Sequence, residues 1–207
     1  TVTFTGDGDL ELAGLVISLG ALTHSDFGTV TYNGGGAQDI VEDTYVNLIA
    51  GGGGGTKSLL GPVVVAGALT IEDLVTLAMG AHTLGVTGAS TITGTLDVAG
   101  STLTLTGASA VGGTITVSTG TVDANGTFTA AGGNITFTGD GDLQLAGVVT
   151  SLGDVSVDFG TVTYDAAGDQ AIVADDYYSI TAGGGTGTKT FAGTVTVAGD
   201  LTIDADI

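Results

Sequence analysis

Lys57 and Lys189 are the chain's only lysines, and arginine is absent. Each stands behind a glycine tract, in GGGGGTKS (51–58) and GGGTGTKT (183–190). A phosphate-binding loop needs Gly-Lys-Ser/Thr at the mouth of a helix; here Thr56 and Thr188 separate glycine from lysine and a β-prone run follows. Two chemistries remain for the pair. One is a structural ion pair with a carboxylate on a neighbouring turn of chain. The other is an isopeptide crosslink to an Asn or Asp side chain, which would leave a mass deficit of about 17–18 Da per link.

The paired Asp7/Asp9 and Asp140/Asp142 lie in identical TGDGDL corners. Two carboxylates two residues apart, beside flexible glycines, have the donor chemistry of a calcium site. The same composition also suits an ordinary turn, because Asp and Gly accept corner conformations. The calcium-binding nonapeptide and the EF-hand loop are both absent. Asp175/Asp176 align with Asp43 but not with Thr44, which weakens that pair as a cation site. His24 and His82 have no partner at catalytic or metal-ligand spacing, and no Gly-x-Ser-x-Gly elbow occurs. A polysaccharide-cleaving enzyme would need a singular cluster of acids, yet these acids recur. The expectation is therefore a non-enzyme, with calcium as the one candidate cofactor.

The elements that must position these residues follow from composition. Of 207 residues 39 are glycine, one is proline, none is cysteine or tryptophan, and 43% are apolar. Glycine, threonine and valine at this level disfavour helices, while the apolar fraction is sufficient for a core. The formal net charge of −20 excludes a nucleic-acid binder, which needs cations to displace phosphate counterions. The longest apolar stretch, 59–69, is broken by Gly61, Pro62 and Gly67, so no membrane-spanning helix is expected.

Repeats organise the rest. Thr3–Leu10 and Thr136–Leu143 both read TFTGDGDL, and Lys57 falls on Lys189 with Val63-to-Ile71 on Val195-to-Ile203. Residues 1–75 are thus equivalent to 134–207, with 76–133 between them, and the chain reads as a piece of a longer array. Within it, short runs alternate apolar and polar residues, as in Thr102–Thr106, Thr114–Val117 and Thr194–Val197. Such runs, separated by glycine-bearing corners, suit a parallel β-solenoid better than tandem sandwiches, which want longer strands and a core Trp. The prediction is an all-β, single continuous solenoid of about ten coils of about 20 residues, a rod near 50 Å at about 4.8 Å per coil. Glu72–Met79 is the one helix-like stretch and is read as coil or strand.

Units such as Gly187–Ile203 and Gly160–Gly185 resemble the β-strand-repeat surface proteins of bacteria, similar to filamentous-haemagglutinin and autotransporter-type adhesins. The resemblance implies a secreted, right-handed parallel β-solenoid in a fibre, stalk or surface layer, and it brings no catalytic residues. The functional expectation is a structural, extracellular or cell-surface segment that stacks end to end with copies of itself. The alternative is a binding module for surface glycans, a calcium-dependent surface or ice, the last suggested by Thr-x-Thr rows that Asp97 and Asp123 interrupt.

Overall fold

The computed structural model describes residues 1–24, 27–205 and 207, without the side chains of Thr23 and His24. Among them there is no helix; thirty short strands wind into a parallel β-solenoid of about ten turns. From Gln38–Ile40 to Asp154–Val155 three strands make a turn, and successive strands go in rotation to three sheets. One sheet runs from Asp9–Leu12 to Val149–Ser151, the second from Gln38–Ile40 to Asp154–Val155, the third from Asp43–Tyr45 to Leu201–Ile203. Equivalent residues on neighbouring turns lie 18–22 positions apart and pair in parallel ladders, as in Leu77, Leu96, Ile115 and Ile135.

Alternation turns these registers into a core. Val63, Leu84, Leu103, Val122, Leu143, Val162 and Ile180 form one inward column, nearly inaccessible to solvent throughout. Each such side chain covers its counterpart one turn away, so no turn closes its core alone. Outward positions hold the polar partners, including the column Thr56, Thr76, Thr95 and Thr114. The stretch Glu72–Met79 contains the strand Val75–Ala78, entered through Leu74 in the left-handed region (φ 65°).

Corners explain the glycine. A Cβ on Gly107 would lie 2.2 Å from the Gly88 carbonyl oxygen, and one on Gly126 would lie 2.2 Å from that of Gly107. Gly67, Gly88, Gly107, Gly126 and Gly147 thus form one corner column in which backbone packs on backbone.

The sequence repeat does not close on the geometry. Thr29–Tyr32 belongs to the first sheet, but its equivalent Thr161–Tyr164, twenty strands later, belongs to the third. At three strands per turn the repeat spans six and two-thirds turns. Each copy of a feature therefore reappears two-thirds of a turn around the axis, which three equivalent sides permit.

Candidate functional site

The stack is not uniformly laddered. The first sheet ends at Val149–Ser151 and the second at Asp154–Val155; one turn on, Gln170–Ile172 and Asp176–Tyr177 pair only with the turn that follows. Only the third sheet runs through this seam, by Asp142–Leu145 on Thr161–Tyr164 and onward. The segments 165–169 and 183–188 are the corners that precede the strands Gln170–Ile172 and Lys189–Phe191 on this side of the stack. The equivalent seam recurs in the first repeat, where 15–18 form no strand.

Side chains bridge the seam. Gln170 Nε2 donates to Leu145 O (2.6 Å) and Gly147 O (3.0 Å), and its Oε1 accepts from Ala166 N–H (3.2 Å). Gln38 does the same with Leu12 O (2.6 Å), Gly14 O (2.8 Å) and Gly34 N–H (3.0 Å). An inward amide has one acceptor and two donors, and here all are used across two turns.

Lysine completes the arrangement. Lys57 is register partner to Gln38, is wholly inaccessible, and donates from Nζ to Gly34 O and to Gly36 O (3.0 Å). Lys189 pairs with Gln170 and donates to Ala166 O (2.5 Å) and Gly168 O (3.1 Å). Among the described residues each ammonium is hydrogen-bonded to carbonyl oxygens of the glycine-bearing loop one turn back instead of to the expected carboxylate, although Asp165 lies near enough to Lys189 to feel its charge. The physical reason is that this loop has left the ladder and its carbonyls need donors. Among the described residues the hydrogen-bond partners of both amines are backbone carbonyls, with no Asn or Asp side chain among them. Burial lowers the Lys57 pKa below its ordinary value.

Two tyrosines close each seam on its inner side. Tyr45 Oη donates to Val41 O (2.7 Å) and lies 3.0 Å from Tyr32 Oη, which accepts from Val41 N–H (3.3 Å). Tyr164, Tyr177 and Val173 repeat this at 2.8, 2.9 and 3.2 Å. Each pair meets edge to face, with centroids 6.4 and 6.5 Å apart. Burial raises all four phenol pKa values. Tyr32, Gln38, Tyr45 and Lys57 each lie 132 residues before Tyr164, Gln170, Tyr177 and Lys189. The lysines stand out in the sequence because they are rare; the Tyr and Gln positions were legible only by asking which polar residues recur at the same offset.

The acidic pairs are placed differently. Asp7, Asp9 and Asp140 are exposed. Asp142 is half-buried, and its two oxygens accept from Thr163 Oγ1 (2.9 Å) and Gln144 Nε2 (2.8 Å). Among the described residues no three His, Asp or Glu side chains converge so as to hold a metal ion. Burial raises the Asp165 pKa, Asp123 and Asp142 add to the rise, and Lys189 opposes it. Its Oδ1 is buried without a hydrogen-bond partner, as is Oδ1 of its repeat equivalent Asn33. The side chain of His24 lies outside the described residues.

A groove of about 350 Å³ opens at the second seam, lined by Ala146–Val149, Ala166 and Asp169–Ala171. Its amide, Gln170, is already satisfied, and no nucleophile and base face each other there. The arrangement can hold turns together; it offers no proton-transfer pair. The chain matches no protein-family model, no curated protein and no solved structure.

Proposed function

We propose that the chain is a mechanical segment of an extracellular filament or stalk, whose task is to hold distance stiffly and to resist proteolysis. The observation that supports this reading most is the recurrence of the Tyr–Gln–Lys–Tyr arrangement wherever the ladders open. The elaborate polar chemistry of the chain is directed inward, at keeping turns joined. The acidic exterior disfavours nucleic acid and confers solubility. Among the described residues no helix is long and apolar enough to cross a membrane.

The test combines shape, protection and place. Small-angle scattering should give a rod about 50 Å long. Trypsin should cut first at half-buried Lys189 in the last turns and reach Lys57 only on unfolding. Antibodies against the chain should label intact producing cells. A compact scattering profile, rapid cleavage at Lys57, or label confined to lysed cells would each contradict the proposal. A binding role is favoured by one observation, the outward column Thr56, Thr76, Thr95 and Thr114; thermal hysteresis in freezing solution, or retention on a glycan column, would support it.

A further inference from the structure

The two seams interrupt the stack in the same way. At the first, Gln38–Ile40 and Asp43–Tyr45 begin their sheets, and the ladder that crosses is Asp9–Leu12 on Thr29–Tyr32. At the second, Val149–Ser151 and Asp154–Val155 end theirs, and the ladder that crosses is Asp142–Leu145 on Thr161–Tyr164. Most of the turns follow the first seam and precede the second. The break is the same whichever side carries the long stack, so it belongs to the repeated residues and not to a chain end.

What joins the turns across the second seam differs from side to side. On the third side the ladder continues from Asp142 opposite Thr161 to Leu145 opposite Tyr164, and Thr163 Oγ1 donates to Asp142 Oδ1 (2.9 Å). On the first side the bonds from one side chain, Gln170 Nε2 to Leu145 O and Gly147 O, stand where the ladder has stopped. There the groove separates Ala146–Val149 below from Asp169–Ala171 above. The inward residues also change, from apolar Phe128 and Val149 to polar Gln170 and Lys189, which reduces the apolar adhesion between turns. On the second side like charges face the gap: burial raises the Asp175 pKa, and the charges of Asp176 beside it and Asp154 below the seam add to the rise.

These joints differ in stiffness. A backbone ladder resists tilting because its hydrogen bonds are short and directional. A glutamine reaches its acceptors through rotatable bonds and follows them as they move. We infer that each seam is a hinge: the blocks on either side tilt about the single ladder that crosses it and part on the two sides where ladders stop, with the glutamine as a tether that limits the opening. The hinge lines lie on different sides, the first sheet at the first seam and the third sheet at the second. The rod therefore bends in two directions, set by the two-thirds-turn offset of the repeat. This goes beyond the mechanical reading above, since a rod stiff within its blocks then yields at fixed points without unwinding a turn.

Paired spin labels test it, each pair five turns apart and so about 24 Å at about 4.8 Å per turn. Thr70→Cys with Ala171→Cys crosses the second seam on the first side, where the ladder stops. Gly85→Cys with Thr181→Cys crosses it along the third sheet, and a Cβ on Gly85 meets open space. Thr31→Cys with Thr129→Cys stays within one block of the first sheet. In pulsed electron resonance the first pair should give a distribution at least about twice as wide as the other two, extended towards longer distances. Gln170→Ala should widen the first pair further and leave the third-sheet pair unchanged. A first pair as narrow as the within-block pair, a third-sheet pair as wide as the first, or a Gln170→Ala chain whose first pair does not widen would overturn the inference. The comparison of the three pairs needs no change at Gln170, so it decides the hinge even where that substitution unfolds the last turns.

Discussion

At the scale of single residues, the informative positions are polar groups facing inward. Lys57 is a buried cation whose partners are carbonyl oxygens, so removing it orphans two acceptors and opens a gap. Lys57→Met should lower unfolding free energy by about 1–3 kcal/mol in urea titration, and Lys189→Met should cost less because its turn is half-open. Ser109 presents the reverse case, an inward hydroxyl with no partner in a column between Ser90 and Phe128. Ser109→Ala should be neutral or stabilising by up to about 1 kcal/mol. Asp165 supplies a pH dependence. Its folded pKa is raised by burial above the ordinary 3.8, so the fold holds its proton longer than the unfolded chain does. The stability this confers is complete below 3.8 and is lost as pH rises through the folded value. Asp175, raised chiefly by burial as well, acts in the same direction. Asp165→Asn, which installs the residue found at the equivalent Asn33, should raise Tm at pH 7 more than at pH 4 and flatten the pH profile.

At the scale of strands and corners, glycine sets the limits. Gly107 sits where its Cβ would meet the Gly88 carbonyl, and Gly126 meets Gly107 in turn. Gly107→Ala should destabilise by about 1–3 kcal/mol in thermal or urea unfolding, with loss of exchange protection centred on the turns that hold Gly88 and Gly126. The strands themselves were readable from the sequence, because Thr102–Leu105 and Thr114–Val117 alternate with period two between glycines. The seams were not. Segments 165–169 and 183–188 look like any other glycine-rich corner, and nothing local distinguishes a corner that keeps its ladder from one that loses it. Gln38 and Gln170 carry no local sign of their inward placement, since only the neighbouring turn supplies the carbonyls that draw them inward. The lysines were legible as special but not as carbonyl-bound, for the same reason: the partner lies one turn away.

At the scale of the whole molecule, the account rests on turns stacked in register along one axis. The outward column Val64, Gly85, Thr104, Asp123, Gln144, Thr163, Thr181 and Thr202 states it most directly, running through successive turns of the third sheet. Because the chain has no cysteine, paired spin labels can be placed selectively. Relative to Thr202→Cys, a label at Thr104→Cys is five turns away and one at Val64→Cys is seven. Pulsed electron resonance should give distances growing linearly by about 4.8 Å per turn, near 24 and 34 Å. Distances that fail to grow with the number of turns, or a longer separation for Thr104 than for Val64, would contradict the stack itself.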